Sequence, residues 1–241
     1  MSDLRLIIPL DLPSRGEAEA MVERLGDSIS FYKIGLQLLA SDGMALARDL
    51  KRNGRSLFLD WKLHDIGATV EKAAAAITAS GVCDLLTVHA EPQVMAAAVR
   101  ARAGERSVKI LGVTVLTSLR EADLVALGYG LGVEALVERR IRQALEAGVD
   151  GVVASPHEAA LARRIGGPDF LVVTPGVRPA WAGADDQARA ATPAQALTAG
   201  ASHLVCGRPI TGATDPRAAA LAVVEEMAKV ALQREMGAAT V

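Results

Sequence analysis

Cysteine is scarce in this sequence of 241 residues, and its placement excludes two common uses. The two cysteines, Cys83 and Cys206, lie far apart and outside any C-x-x-C pattern. This argues against a disulfide framework and against a zinc site, and it fits a reducing compartment. We predict that both thiols are small apolar members of the core.

Long apolar runs and an excess of charge of one sign are also lacking. No stretch approaches the roughly 18 uncharged apolar residues of a membrane span, and the first residues lack the apolar region of a signal peptide. The net charge is only -2 and Lys and Arg are scattered, so no general attraction to nucleic acid or to a membrane is expected. These absences predict a soluble, cytoplasmic protein whose anion sites are local.

What the sequence does contain is a regular rhythm of short apolar runs and longer segments rich in Ala, Leu, Glu and Arg. The runs show little alternation of apolar and polar residues, which is typical of parallel strands buried on both faces. They cover residues 6–10, 30–34, 56–59, 85–88, 110–116, 151–154, 170–173 and 203–206.

The segments between the runs have the pattern of helices. In residues 133–147, an apolar stripe is predicted from Leu136, Val137, Ile141 and Leu145. Glycines stand where the helices should end, a position that often needs a positive φ. These glycines are Gly26, Gly54, Gly81, Gly104, Gly148, Gly166 and Gly200.

Eight strand–helix units without a long linker predict an α/β fold, a (β/α)8 TIM barrel that forms a single domain over residues 1–241. The alternative is an open doubly wound sheet, which would more usually carry G-x-G-x-x-G after the first strand. Here that turn reads Asp11-Leu12-Pro13-Ser14, which is typical of a helix N-cap region.

Polar residues are concentrated at the carboxyl ends of the predicted strands, where the active site of such a barrel lies. The amino ends of the strands show no such concentration. The residues at the carboxyl ends are Asp11, Lys33, Asp60, Lys62, His89, Thr117, Ser118, Ser155, His157, Thr174, Arg178 and Arg208.

The stretch Asp60-x-Lys62-x-x-Asp65 is the strongest candidate for chemistry. A strand would direct Asp60 and Lys62 to the same side, and Asp65 follows where a loop can turn it towards the amine. An ammonium held between two carboxylates makes a reactive centre without a metal. The alternative is a solvated charge cluster, and the polar groups at the same end of the barrel favour the catalytic interpretation.

Two turns predict a phosphate site. Pro175-Gly176-Val177-Arg178 and Gly207-Arg208 each combine a glycine, backbone N–H groups and a guanidinium, after the seventh and eighth strands. Residues 180–191 contain few apolar anchors and are predicted to form a mobile lid, with Gln187 donating its amide to the phosphate on closure. The alternative for this segment is a passive surface loop.

Together these motifs resemble the orotidine 5′-phosphate decarboxylase family, over nearly the whole chain from Asp11 to Arg208. The D-x-K-x-x-D core is shared with related sugar-phosphate barrels, whereas the T-P-G-x-R turn, the downstream Gln and Gly-Arg narrow the resemblance to the decarboxylases. Gly67-Ala68 stands where many members have Pro-Asn, and Trp61 is larger than usual and expected to point away from the site.

The resemblance implies loss of CO2 from C6 of orotidine 5′-monophosphate, giving uridine 5′-monophosphate without a cofactor. Lys62 would protonate C6, and Asp60 and Asp65 would keep it oriented and charged. It also implies a homodimer in which Asp65 and Thr69 reach the neighbouring site. Substrate contacts would come from Asp11 and Lys33 (ribose), Thr117 and Ser118 (pyrimidine), and Pro175, Gly176, Arg178, Gln187, Gly207 and Arg208 (phosphate).

Histidines offer an alternative, because His64, His89, His157 and His203 are possible metal ligands beside Asp60 and Asp65. His203 begins a strand at the wrong end of the barrel, and no metal site is predicted. A magnesium-dependent decarboxylase or aldolase of 3-keto sugar phosphates would keep the D-x-K-x-x-D core. A non-catalytic nucleotide-binding barrel is disfavoured by the intact Lys62 and aspartates.

Overall fold

The structure, a computed structural model, describes residues 2–102, 107–182 and 191–238, with residues 231–238 as backbone only. Within these ranges, eight parallel strands close into a barrel in chain order, with β8 pairing back to β1. This confirms the predicted barrel and excludes the open sheet. The strands are β1 (Leu6–Pro9), β2 (Phe31–Gly35), β3 (Ser56–Leu63), β4 (Leu85–His89), β5 (Lys109–Val113), β6 (Gly151–Val153), β7 (Leu171–Thr174) and β8 (His203–Val205).

Helices alternate with the strands and surround the barrel. Among the residues that the structure describes, no helix is both long enough and apolar enough to cross a bilayer. The helices are α1 (Arg15–Leu25), α2 (Leu36–Leu39), α3 (Gly43–Arg52), α4 (Gly67–Ser80), α5 (Pro92–Ala101), α6 (Glu121–Ala126), α7 (Val133–Ala147), α8 (Ala159–Gly166), α9 (Pro193–Thr198), α10 (Arg208–Thr211) and α11 (Pro216–Ala238).

Two strands end more than one residue away from the ends that the apolar runs predicted. β3 continues to Leu63, four residues beyond the predicted end at residue 59. β5 stops at Val113 instead of residue 116, because its partner β6 is only three residues long and the pairing ends at Val113–Val153. Thr117 and Ser118 therefore lie in a loop after β5 and not at the end of the strand.

The barrel interior is filled by an apolar layer directly below the site. It comprises Ile7, Phe31, Phe58, Leu85, Leu111, Val173 and Val205, apart from the larger core between sheet and helices. Because side chains alternate along a strand, residues two positions further on face the same interior one layer higher. Lys33, Asp60 and Thr87 occupy that layer, so these polar groups lie directly above a layer of apolar side chains.

Helix ends largely follow the glycine pattern. Gly26, Gly54, Gly81, Gly148 and Gly200 have positive φ, as predicted. The prediction for Gly166 is wrong by one position: it is the last residue of α8, and Gly167 takes a φ of 78°. Gly104 lies outside the described residues. At the amino end of α1, Ser14 is the N-cap, as expected, and accepts a hydrogen bond from the Glu17 amide at 3.3 Å.

The predicted stripe of α7 needs one correction. Leu136, Val137 and Ile141 are buried, but Leu145 is 38% exposed and Ala144 is buried in its place. Ala144 faces Gly112 of β5, and a Cβ added to Gly112 would lie in van der Waals contact with the Ala144 Cβ, at 3.8 Å. The buried stripe thus passes through Ala144.

Polar groups also occupy the amino end of the barrel, contrary to the sequence interpretation. Three of them precede even-numbered strands, and each accepts the backbone N–H of a residue near the start of the preceding strand. Leu57 N donates to Asp84 at 2.7 Å, Ile110 N to Asp150 at 2.8 Å, and Val172 N to Ser202 at 2.8 Å. These groups satisfy backbone donors, which is the stabilising role expected at this face of a barrel.

Candidate active site

A cavity of about 340 Å³ opens at the carboxyl end of the strands. Apolar side chains of Phe58, Val113, Val153 and Val205 line its base, together with the polar residues predicted from the sequence. The predicted residues in the lining are Asp11, Lys33, Asp60, Lys62, Thr117, Pro175, Gly176, Arg178, Gly207 and Arg208. The fold thus brings together residues from seven of the eight strands or the turns after them, counting only described positions.

Charges of alternating sign form an array inside the cavity. Lys62 Nζ lies 2.8 Å from Asp60 Oδ1, and Lys33 Nζ lies 3.4 Å from Asp60 Oδ2. Lys33 Nζ also donates to Asp11 Oδ1 at 3.0 Å. Lys33 and Asp60 are buried, so each charge depends on its neighbours for stabilisation.

The array fixes the ionisation of Asp60. Burial opposes the charged form of this carboxyl group, but the positive charges of Lys33 and Lys62 favour it. Hydrogen bonds from Lys62 and Thr87 act in the same direction, and the net result is a pKa below the usual value. Asp60 is therefore a carboxylate at neutral pH and holds the Lys62 ammonium by a direct ion pair.

Lys62 reaches the cavity through an irregular backbone. It is one of two described non-glycine residues with positive φ, at 50°, and the register of β3 against β4 shifts between Leu59 and Leu63. Asp60 and Lys62 do face the same cavity, as predicted, but a bulge and not simple alternation brings this about. Trp61 between them packs against the outer core, away from the cavity, as expected.

Gly35, at the end of β2, is a site residue that the sequence did not reveal. A Cβ there would lie 2.8 Å from Asp11 Oδ1 and 3.0 Å from Lys33 Nζ. Any larger residue would therefore push against the Asp11–Lys33 pair. Its sequence signal was weak, since Gly35 simply follows Lys33 by two positions in an apolar strand.

The two predicted phosphate turns meet at the rim of the cavity. Gly176 has a φ of 75°, which allows the tight turn before Arg178. The Arg178 side chain is buried, whereas Arg208 is exposed. Arg178 N donates to Ala191 O at 2.9 Å, so the two ends of the predicted lid are joined. Gln187 lies outside the described residues.

Among the predicted site residues that the structure describes, three are not in the lining of this cavity. Asp65, Thr69 and Ser118 are exposed. Asp65 Oδ1 accepts a hydrogen bond from its neighbour Ile66 N at 2.6 Å, and across the described ranges no ion pair joins it to Lys62. Within one chain, the Lys62 ammonium is thus paired with Asp60 and not with Asp65.

A second polar cluster lies beside the site. The ring centroids of His64 and His89 are 4.7 Å apart, and His64 Nε2 is 3.6 Å from Glu91 Oε2. Arg140 Nη2 contacts the other oxygen of Glu91 at 3.3 Å. Burial lowers the pKa of His89, and the nearby His64, Arg140 and Lys62 add to this effect while Glu91 opposes it.

This cluster of two histidines and a glutamate also offers side-chain ligands for a metal ion. The ligand atoms of His64, His89 and Glu91 lie within 4.8 Å of one another, and Asp60 and Asp65 are not among them. Two imidazoles and a carboxylate suit a transition metal better than magnesium, which prefers oxygen. His203 lies at the opposite end of the barrel, against Phe31, as the sequence indicated. That no metal is used stays a prediction.

Comparisons with known proteins show which family the chain is similar to. Residues 4–223 match the model of the family described as Orotidine 5'-phosphate decarboxylase / HUMPS family. A relative from Caulobacter sp. (strain K31), named Orotidine 5'-phosphate decarboxylase, is 72% identical over 94% of this chain and 98% of its own. A relative of the same name from Rhodopseudomonas palustris (strain BisB5) is 56% identical over 93% of this chain and 95% of its own.

A solved structure shows the same likeness in three dimensions. The crystal structure of orotidine 5'-phosphate decarboxylase from Lactobacillus acidophilus superposes with a TM-score of 0.81 at 35% identity. The superposition covers 93% of this chain and 99% of that one. The chain therefore belongs to the Orotidine 5'-phosphate decarboxylase / HUMPS family.

Proposed function

We propose that this protein decarboxylates orotidine 5′-monophosphate to uridine 5′-monophosphate, the last step of pyrimidine synthesis, with Lys62 as the proton donor and without a metal or cofactor. One observation carries the proposal: the chain Lys62–Asp60–Lys33–Asp11 lines the same cavity as the turns with Arg178 and Arg208. A nucleotide with a phosphate at one end and a reacting carbon at the other is matched by these two groups.

The chemistry follows from where the charges lie. The bond from C6 to the carboxylate breaks, CO2 leaves, and the electron pair stays on C6. The Lys62 ammonium stabilises that developing negative charge and then gives its proton to C6. Asp60, held as a carboxylate, orients Lys62 through their direct ion pair. A fixed ammonium supplies the positive charge that the step requires.

Other predicted site residues would bind the parts of the substrate that do not react. Asp11 and Lys33 are assigned to the ribose hydroxyls, and Thr117 and Ser118 to the pyrimidine edge. Backbone groups at Pro175, Gly176 and Gly207, the two arginines and Gln187 are assigned to the phosphate. Binding energy from this remote group can be used to orient the ring at Lys62.

A homodimer completes the proposal. Asp65 and Thr69 are exposed on the loop and helix start after β3, and we assign them to the site of the neighbouring subunit. Large apolar side chains are exposed at the same end of the barrel: Ile66 is 70% exposed and Leu116 38%. Apolar surface of this kind favours association.

The test follows ultraviolet absorbance as the purified protein meets orotidine 5′-monophosphate. Wild type is expected to turn over, with equal rates before and after EDTA treatment. Lys62→Ala should lose about 10²–10⁴-fold or more in kcat, because it removes the general acid and the cation. The matched control is Lys229→Ala, an exposed lysine of α11, which should match wild type. Equal rates for wild type and Lys62→Ala would refute the mechanism.

The same assay separates the two alternatives. A magnesium-dependent enzyme acting on 3-keto sugar phosphates would lose its activity with EDTA and would not consume orotidine 5′-monophosphate. A non-catalytic barrel would bind uridine 5′-monophosphate without turning over the substrate.

A further inference from the structure

Thr87 on β4 stands opposite the irregular part of β3. The paired residues are Leu59 with Leu86 and then Leu63 with Val88. Between these pairs, β3 contributes three residues, including Asp60 and Lys62, while β4 contributes only Thr87. Regular backbone pairing is therefore interrupted at the place where the charged array is built.

The hydroxyl of Thr87 replaces that missing pairing. Thr87 is fully buried, and its Oγ1 accepts a hydrogen bond from Lys62 N at 3.0 Å. The same hydroxyl donates to Asp60 Oδ1 at 3.0 Å. The direction of this second bond is fixed, since the Asp60 carboxylate has no proton to donate.

These bonds form a closed ring with the ion pair. Lys62 N contacts Thr87 Oγ1, Thr87 Oγ1 contacts Asp60 Oδ1, and Asp60 Oδ1 contacts Lys62 Nζ at 2.8 Å. One hydroxyl thus links the backbone conformation of Lys62, with its φ of 50°, to the position of its ammonium. A non-glycine residue keeps such a conformation only when its surroundings hold it there.

We infer that Thr87 is a positioning residue for the reaction, holding Lys62 and Asp60 in the geometry that delivers the proton to C6. This role rests on the proposed function. Thr87 is not among the residues that line the cavity, so its action is through its hydrogen bonds to Lys62 and Asp60.

Three variants test the role. Thr87→Val keeps the shape and removes the hydroxyl, Thr87→Ser keeps the hydroxyl, and Thr114→Val removes a comparable hydroxyl elsewhere. Thr114 is also buried near a strand end, and its Oγ1 donates to Val153 O at 2.9 Å without contact to Asp60 or Lys62. The measurements are kcat, the Kd for uridine 5′-monophosphate and the thermal unfolding temperature.

Thr87→Val is expected to lose about 10- to 100-fold in kcat, which is the order typical of a residue that orients a reacting group. A donor that itself contacts the reacting charge would cost more, about 10²–10³-fold. The product Kd should change less than about threefold, because the phosphate and ribose contacts are untouched. Thr87→Ser should restore kcat to within about threefold of wild type. Thr114→Val should keep the wild-type kcat even where its unfolding temperature falls.

The pH profile gives a readout that a merely structural role would not move. The Thr87 hydrogen bond helps to lower the pKa of Asp60, so its loss should raise that pKa. The acid limb of kcat should accordingly shift to higher pH in Thr87→Val and not in Thr114→Val. If Thr87→Val does not fold, Thr87→Cys keeps the volume with a weaker donor and acceptor, and serves the same comparison.

The experiments distinguish failure of the positioning role from failure of the proposed function. A wild-type kcat in Thr87→Val, or equal losses in Thr87→Val and Thr114→Val that follow their stability, would overturn the positioning role alone. A wild-type protein that does not consume orotidine 5′-monophosphate would overturn the proposed function and this role with it.

Discussion

Buried charge is what distinguishes the individual residues of this site. Lys33 and Asp60 lie inside the barrel, yet each has partners of opposite charge within 3.4 Å. Desolvation of such groups is tolerated only when every charge is compensated. Arg178 belongs to the same class, because it is buried at the rim while Arg208 is exposed. We therefore expect Arg178 to be the more preorganised of the two proposed phosphate ligands.

Arg178→Ala should weaken binding of uridine 5′-monophosphate by about 10- to 100-fold, since a charged hydrogen bond contributes about 1.5–3 kcal/mol. Binding of uridine, which has no phosphate, should stay unchanged, and calorimetric titration measures both. Arg48→Ala, at an exposed position of α3, is the control. An equal loss for both ligands would mean that Arg178 supports the fold and not the phosphate.

Individual strands differ in the groups they bury at the amino end. His203 begins β8, and burial lowers its pKa from 6.5 to about 4, although Asp3 acts in the opposite direction. Between these two values the unfolded chain binds a proton that the folded chain does not. The free energy of unfolding must therefore fall as the pH falls through this window.

His203→Gln should remove this dependence, which for wild type amounts to about 3 kcal/mol at most between pH 6.5 and pH 4. Urea unfolding at a series of pH values measures it. His157→Gln, at an exposed histidine, is the control and should keep the wild-type slope. An unchanged slope in His203→Gln would assign the loss of stability to other groups.

The strands were the part of the fold most accessible to sequence reasoning. Parallel strands buried on both faces must be apolar runs, so their positions can be read directly, and the polar residues after them mark one end of the barrel. Nothing in the run that ends at Leu59 marks the bulge, because apolar Leu63 simply resumes the pairing later. The sequence indicates Thr87 only weakly, as the one residue with a hydroxyl in the apolar run Leu85-Leu86-Thr87-Val88.

At the scale of the whole molecule, the question is whether one chain supplies every residue of its own active site. One chain supplies Lys33, Asp60 and Lys62 to its own cavity but leaves Asp65 outside it. We propose that residues 1–241 fold as one domain. The last helix, α11, packs against α1 and α9 and so connects the first and the last strand–helix units. The site would then be finished by a second copy of the chain.

Mixing Lys62→Ala with Asp65→Ala subunits tests this sharing. Each mixed dimer would contain one intact site, with Lys62 from one subunit and Asp65 from the other. Random exchange at equal concentrations should therefore restore about a quarter of wild-type activity, although each variant alone is inactive. A mixture as inactive as its components, after exchange is verified by a mass tag, would contradict shared sites.

The side-chain acceptors at the amino end of the barrel also divide the molecule into halves. Asp84 bonds to β3, whereas Asp150 and Ser202 bond to β5 and β7. A cut between residues 102 and 107 would break none of these three contacts, and would leave four strands in each fragment. The Arg102–Asp150 ion pair would then join one half-barrel to the other. We therefore expect two co-expressed pieces, divided at this position, to reassemble.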